Sequence, residues 1–132
     1  MSRGLRTVFL LHAIVAVLFG LVAFIRPIFW VQLFAWAPFD PFMTRGYGAA
    51  LLALGAASWL GYRAATWAEV RIVVQMEIAF TVLSTVAGLW AVLFRNGPAL
   101  LWLGIVLWLA FAIAFGSFYA KAPSRAASEP AT

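Results

Sequence analysis

Glu77 and His12 are the residues whose types could do chemistry in an otherwise apolar chain. Glu77 lies within Arg71–Phe94, RIVVQMEIAFTVLSTVAGLWAVLF, a run long and apolar enough to cross a bilayer. A carboxylate inside such a run costs about 3 kcal/mol on insertion scales, so it calls for a partner facing the protein interior. His12 is the sole histidine and the only ionisable residue between Thr7 and Ile25. Counted inward from the helix ends, His12 lies about six residues deep and Glu77 about five or six. Ser58 lies about four deep and Ser117 about three or four, so all four share a depth. Glu77, Thr81, Ser84 and Gly88 recur at helical spacing and form one stripe. The expected site is therefore a hydrogen-bonded His12–Glu77 pair, with Ser58, Ser117 or Gln75 as further partners. As chemistry it reads as a proton relay or a polar binding site. As structure it reads as a tie between helices worth about 1 kcal/mol. Arg71, six residues before Glu77, is spaced poorly for pairing on one helix.

A second pair, Asp40 with Arg45, is expected on the opposite side. The competing reading makes Asp40 a helix cap and lets Arg45 snorkel to the interface. No catalytic residue, metal site or cofactor emerges. Cysteine is absent and there is one histidine, which excludes thiol chemistry, thiolate-bound metals and bis-histidine haem within one chain. The only aspartate falls across the membrane from His12, so no Ser-His-Asp arrangement forms, and no nucleophile–base pair supports an enzyme.

The surrounding elements follow from composition. Of 132 residues, 66% are hydrophobic and 10% charged, with a mean hydropathy of +1.02, so lipid must be the solvent for most of the surface. The net charge of +5 comes from basic residues dispersed over loops and helix ends, which is a topology signal and gives no nucleic-acid surface. The predicted fold is an all-α membrane protein: a four-transmembrane-helix antiparallel bundle in a single domain, 1–120, with spans at about 6–25, 41–62, 69–94 and 99–120. Ala13, Ala16, Gly20 and Ala23 offer a close-packing face on the first helix. Ala49, Ala53, Ala57 and Gly61 offer one on the second, and Ala112, Gly116 and Ala120 one on the fourth. Arg26-Pro27 ends the first helix. The segment 28–38 is too short to span and should form a short interfacial helix or a re-entrant elbow. Asp40-Pro41 starts the second helix, Thr66 to Glu69 reads as a capping box for the third, and Asn96-Gly97-Pro98 breaks the chain before the fourth. Trp108 falls near mid-membrane, where its indole N–H needs a partner. The tail, 121–132, should be disordered and cytoplasmic.

Four spans put both termini on one side. That side carries Arg3, Arg6, Arg63, Arg71, Lys121 and Arg125, against Arg26, Arg45 and Arg95 on the other, which makes the termini cytoplasmic. The series Asp40-Pro41, Arg45-Gly46-Tyr47-Gly48-Ala49, Leu52, Gly55 and Trp59-Leu60, within four short spans, resembles a group of small bacterial four-helix integral membrane proteins with a DoxX-like layout. The resemblance implies a bundle in the inner membrane and no catalytic residues. Two functions follow. One is an assembly module, joined to itself as a homo-oligomer or to a larger membrane complex through its helix faces. The other is a small proton-linked transporter, or a factor binding a lipophilic quinone or lipid, built on His12 and Glu77.

Overall fold

The computed structural model describes residues 1–34 and 40–122, and the described residues are almost wholly helical. Helix α1 spans Arg3–Ile25, α2 Pro27–Phe34, α3 Pro41–Arg63, α4 Trp67–Phe94 and α5 Leu101–Ala120. Most of the tail expected to be disordered, and the end of the elbow beyond Phe34, lie outside the described residues.

Three helices, α1, α4 and α5, are long and apolar enough to cross a bilayer, which fits a multi-pass membrane protein. The fourth expected span, α3, is not among them. At 23 residues it reaches about 35 Å, so length is not the reason. Four glycines, Arg45, Arg63, Thr44 and Ser58 dilute its hydropathy. Large side chains such as Leu18, Leu60, Leu83 and Ile113 point outward, a surface that only lipid or another apolar surface covers well.

The helices pack as two antiparallel pairs, α1 with α3 and α4 with α5, and the pairs meet each other more sparsely. The α1–α3 seam is made by small residues. Ala13, Ala16, Gly20 and Ala23 are buried on α1, as expected. On α3 the seam is Gly48, Gly55, Ser58 and Gly61, whereas Ala49 and Ala53 of the expected stripe face outward. Of the expected α5 stripe only Ala112 is buried, and the real α5 face adds Leu101, Ile105 and Phe115. Close approach explains the α3 seam. A Cβ on Gly48 would lie 2.6 Å from the Phe24 nitrogen and 2.9 Å from the Gly20 oxygen.

One end of the bundle is solid. Leu5, Phe9, Val70, Val74 and Phe115 form its core. At that end the N-terminal amine donates to Ala65 O at 3.3 Å, and Arg6 Nη2 donates to Ala64 O at 3.2 Å. Gln75 donates to Tyr119 Oη at 2.8 Å, tying α4 to α5. The chain start, the α3–α4 turn and the end of α5 therefore share one end. The capping box differs in detail from expectation. Thr66 Oγ1 donates to Glu69 Oε1 at 2.6 Å, and Glu69 Oε2 accepts from Ala65 N at 3.2 Å, one residue earlier than the cap itself.

At the other end the chain turns twice. Arg26 alone interrupts α1 and α2, leaving helical geometry at φ −123°, ψ 58°, ahead of Pro27. The 8-residue α2 carries Trp30, whose ring meets Phe19 at 5.5 Å and Phe34 at 4.6 Å. Between α4 and α5, Asn96 takes φ 52°, a left-handed turn suited to asparagine.

Candidate functional site

Three helices contribute one side chain each to a buried polar chain. Ser58 Oγ on α3 donates to Glu77 Oε1 on α4 at 2.7 Å. His12 Nδ1 on α1 lies 2.9 Å from Ser58 Oγ and 3.4 Å from Glu77 Oε1. All three are buried, Ser58 and Glu77 at 0% exposure and His12 at 4%. A serine has one proton to give, and here it goes to Glu77. With Glu77 as a carboxylate, Ser58 then accepts from His12, which puts the ring hydrogen on Nδ1 and leaves Nε2 of a neutral ring as a lone-pair acceptor. The predicted His12–Glu77 pairing is present, with Ser58 inserted as the closer link to both.

Local sequence explains the placement. His12 and Phe9 lie on the α1 face that meets α3, and Gly55 and Gly61 bring Ser58 close enough to reach both neighbours. Phe111 and Phe115 of α5 hold the imidazole edge-on, with ring centroids 4.7 and 5.7 Å away. Neither phenylalanine carries a sequence signal that separates it from the chain's other apolar residues.

The remaining expected members go elsewhere. Ser117 is exposed and donates to Ala114 O of its own helix at 2.8 Å. It shares the depth of the site but sits on the wrong side of α5. Gln75 is held by Tyr119. Thr81 is fully buried beside the site, yet its hydroxyl donates to the Glu77 backbone oxygen at 2.6 Å and leaves the carboxyl alone. Thr85, absent from the expected stripe, is buried in the same way on Thr81 O at 2.7 Å. Ser84 is half-buried and lines the wall of a cavity. Asp40 caps α3, accepting from Phe42 N at 2.7 Å and Met43 N at 3.1 Å. No Asp40–Arg45 ion pair forms: among the described residues the only ion-pair contact is His12–Glu77. The cap uses Asp40 because the free N–H groups of the first turn are nearer than the Arg45 side chain, which points out.

One feature of the carboxyl has no partner. Glu77 Oε2 is buried without a hydrogen bond, the one such side-chain atom among the described residues. Buried carboxyl oxygens are normally satisfied, so this one marks a place for a proton, a water or a ligand.

Above the polar chain, away from the solid core, the two helix pairs part. The gap is a cavity of about 610 Å³, within the size range of small-molecule sites. His12 and Phe111 lie at its inner end. Ala16, Phe19, Leu51, Phe80, Gly88 and Trp108 form its walls, and Trp30 and Phe34 of α2 with Asp40 and Leu101 border its outer end. Gly88 matters here, because a Cβ on it would lie 2.7 Å from Ile105. Among the described residues, no lysine or arginine borders the cavity. Trp108, the indole expected to need a partner, lines the cavity and makes no hydrogen bond among the described residues. No group of three or more His, Cys, Asp or Glu side chains converges among the described residues.

No protein-family model matches this sequence, and no curated protein or solved structure matches it.

Proposed function

We propose that this chain is a small integral membrane protein that holds a neutral lipophilic molecule, a quinone or lipid in class, between its two helix pairs. The observation that carries this reading is the cavity ending on His12. It is lined mainly by apolar and aromatic side chains, with His12 as the polar group at the inner end and Asp40, Thr44 and Tyr47 towards the outer one, a mix typical of small-molecule sites. The absence of a bordering cation disfavours phosphate or carboxylate headgroups, which would need one. The solid core beyond the polar chain favours retention of a ligand over conduction through the bundle.

In this reading α3 is the fourth span. Its support is the seam with α1, which runs from Gly20 and Gly48 at one end to Phe9 and Gly61 at the other, so α3 shares the depth of a helix apolar enough to cross. Basic residues gather at the end that holds Met1, the α3–α4 turn and the end of α5, which supports cytoplasmic termini in an inner membrane. This layout agrees with the resemblance to small bacterial four-helix proteins. A second reading, an assembly module that joins copies of itself or a larger complex, is supported by the outward Ala49 and Ala53 of α3, where another helix would approach closely.

Trp30 and Trp108, two of seven tryptophans, border the cavity. Titrating a short-chain benzoquinone into the solubilised protein should quench fluorescence saturably, by about the share those two contribute. The quenching should vanish in Trp30→Phe/Trp108→Phe. Quenching that rises without saturation and survives the double replacement would mean simple partitioning into the detergent, and would end the ligand reading.

A further inference from the structure

We propose that the His12–Ser58–Glu77 chain is a proton-dependent polarity switch, which lets one cavity take either a hydroxyl-bearing or a carbonyl-bearing lipophile. This rests on the cavity being a ligand site and adds which head groups it accepts and when.

Hydrogen-bond direction within the chain sets what His12 offers the cavity. Ser58 sits between the other two, 2.9 Å from His12 Nδ1 and 2.7 Å from Glu77 Oε1. Its single proton must point one way, and that choice fixes both neighbours. When Glu77 is a carboxylate it can only accept. Ser58 then donates to Glu77, His12 Nδ1–H donates to Ser58, and Nε2 is left as an acceptor. Such a ring binds a hydroxyl. When Glu77 holds a proton on Oε1, the direction can reverse. Glu77 donates to Ser58, Ser58 donates to His12 Nδ1, and the ring hydrogen moves to Nε2. Such a ring binds a carbonyl oxygen. The reversal moves no heavy atom and leaves the imidazole neutral. Its proton balance is a single proton gained by the chain, so the carbonyl form of a ligand brings one proton with it and the hydroxyl form brings none.

Two observations place the output of this chain at the cavity. His12 borders it, and with Nδ1 committed to Ser58 only Nε2 is free to meet a ligand. At the input end, the Glu77 carboxyl has spare hydrogen-bonding capacity, since Oε2 is buried without a partner. The other titratable groups facing the cavity are Asp40 and Tyr47 of α3, and both lie at its outer part, apart from the chain. Among the described residues the cavity walls from α2, α4 and α5 carry no titratable side chain and α1 contributes only His12, while Glu77 stands behind the wall and is reached through Ser58.

The test uses two non-redox probes matched in shape, 4-nonylphenol and 4-nonylacetophenone, bound to the full-length protein in detergent between pH 5 and pH 9. The phenol dissociation constant should stay flat through the range where the phenol remains neutral, because its hydroxyl donates to the free Nε2 when Glu77 is ionised and accepts from Nε2–H when it is not. The ketone should weaken by about tenfold per pH unit wherever Glu77 is ionised in the free protein, because its binding takes up one proton. In Glu77→Gln, whose amide can donate or accept, the ketone slope should disappear while both probes still bind. Should that variant misfold, the contrast between the two probes on the native protein decides the matter alone. Equal pH dependence for phenol and ketone, or a ketone slope that persists in folded Glu77→Gln, overturns the switch while leaving the cavity a ligand site. Binding of neither probe overturns both.

Discussion

Replacing Ser58 with alanine should destabilise the bundle by about 3 kcal/mol, far more than one lost hydrogen bond. The excess comes from Glu77. With Ser58 gone, a carboxyl at 0% exposure keeps only His12 Nδ1, 3.4 Å from Oε1, and nothing at Oε2. Stranding one member of a buried polar set costs more than removing the set. Adding Glu77→Leu to Ser58→Ala should therefore recover most of the loss, since the double variant buries apolar atoms where the single one buries an orphaned carboxyl. Reversible unfolding in mixed detergent measures all three proteins. If the two changes simply add, with Glu77→Leu costing as much in the Ser58→Ala background as in the native chain, the side chains are independent and the buried chain is not a unit.

The second large effect is a contrast between two glycines two residues apart. Gly48→Ala should destabilise by about 3 kcal/mol, at the upper end of overpacking costs, because its Cβ would meet backbone atoms of α1 that cannot rotate away. Gly46→Ala should be neutral or stabilising by up to about 1 kcal/mol. Nothing lies within 4 Å of its Cβ position, and alanine favours the helix. Thermal unfolding of the two variants side by side reads the difference. Equal effects would mean that the α1–α3 seam is not as close as described.

These cases show what could be read from the chain. Depth was legible, because apolar runs ending at Arg26-Pro27 and Asn96-Gly97-Pro98 fix where each helix begins and ends. Counting inward from the opposite ends, near Arg6, Arg63 and Arg71, put His12, Ser58 and Glu77 at one level, and they meet. Rotation was less legible. In water, the polar face of a helix reveals which side is out, but lipid is as apolar as the core and removes that signal. So Ser117, at the right depth, turned out to face away, and the α3 seam fell on Gly48 and Gly55 in place of Ala49 and Ala53. Hydroxyls misled for a related reason. Thr81 and Ser117 satisfy themselves on carbonyls of their own helices, so a polar stripe need not be a polar site. The Asp40–Arg45 pair failed because local capping outcompetes a pair that must order a long side chain in solvent. The cavity had no sequence signature at all. It arises from how two tight pairs meet each other, which no single helix encodes.

The central claim is that a neutral lipophile occupies the space above His12. Its most direct measurement is photolabelling with an alkylphenol that carries a diazirine, followed by peptide mapping. Labels that concentrate on the cavity walls, at Phe19, Phe80, Trp108 or Phe111, and that unlabelled 4-nonylphenol displaces, are the predicted result. Labels spread over the outward residues Ile72, Leu83 and Ile113, with none displaced by competitor, would contradict it.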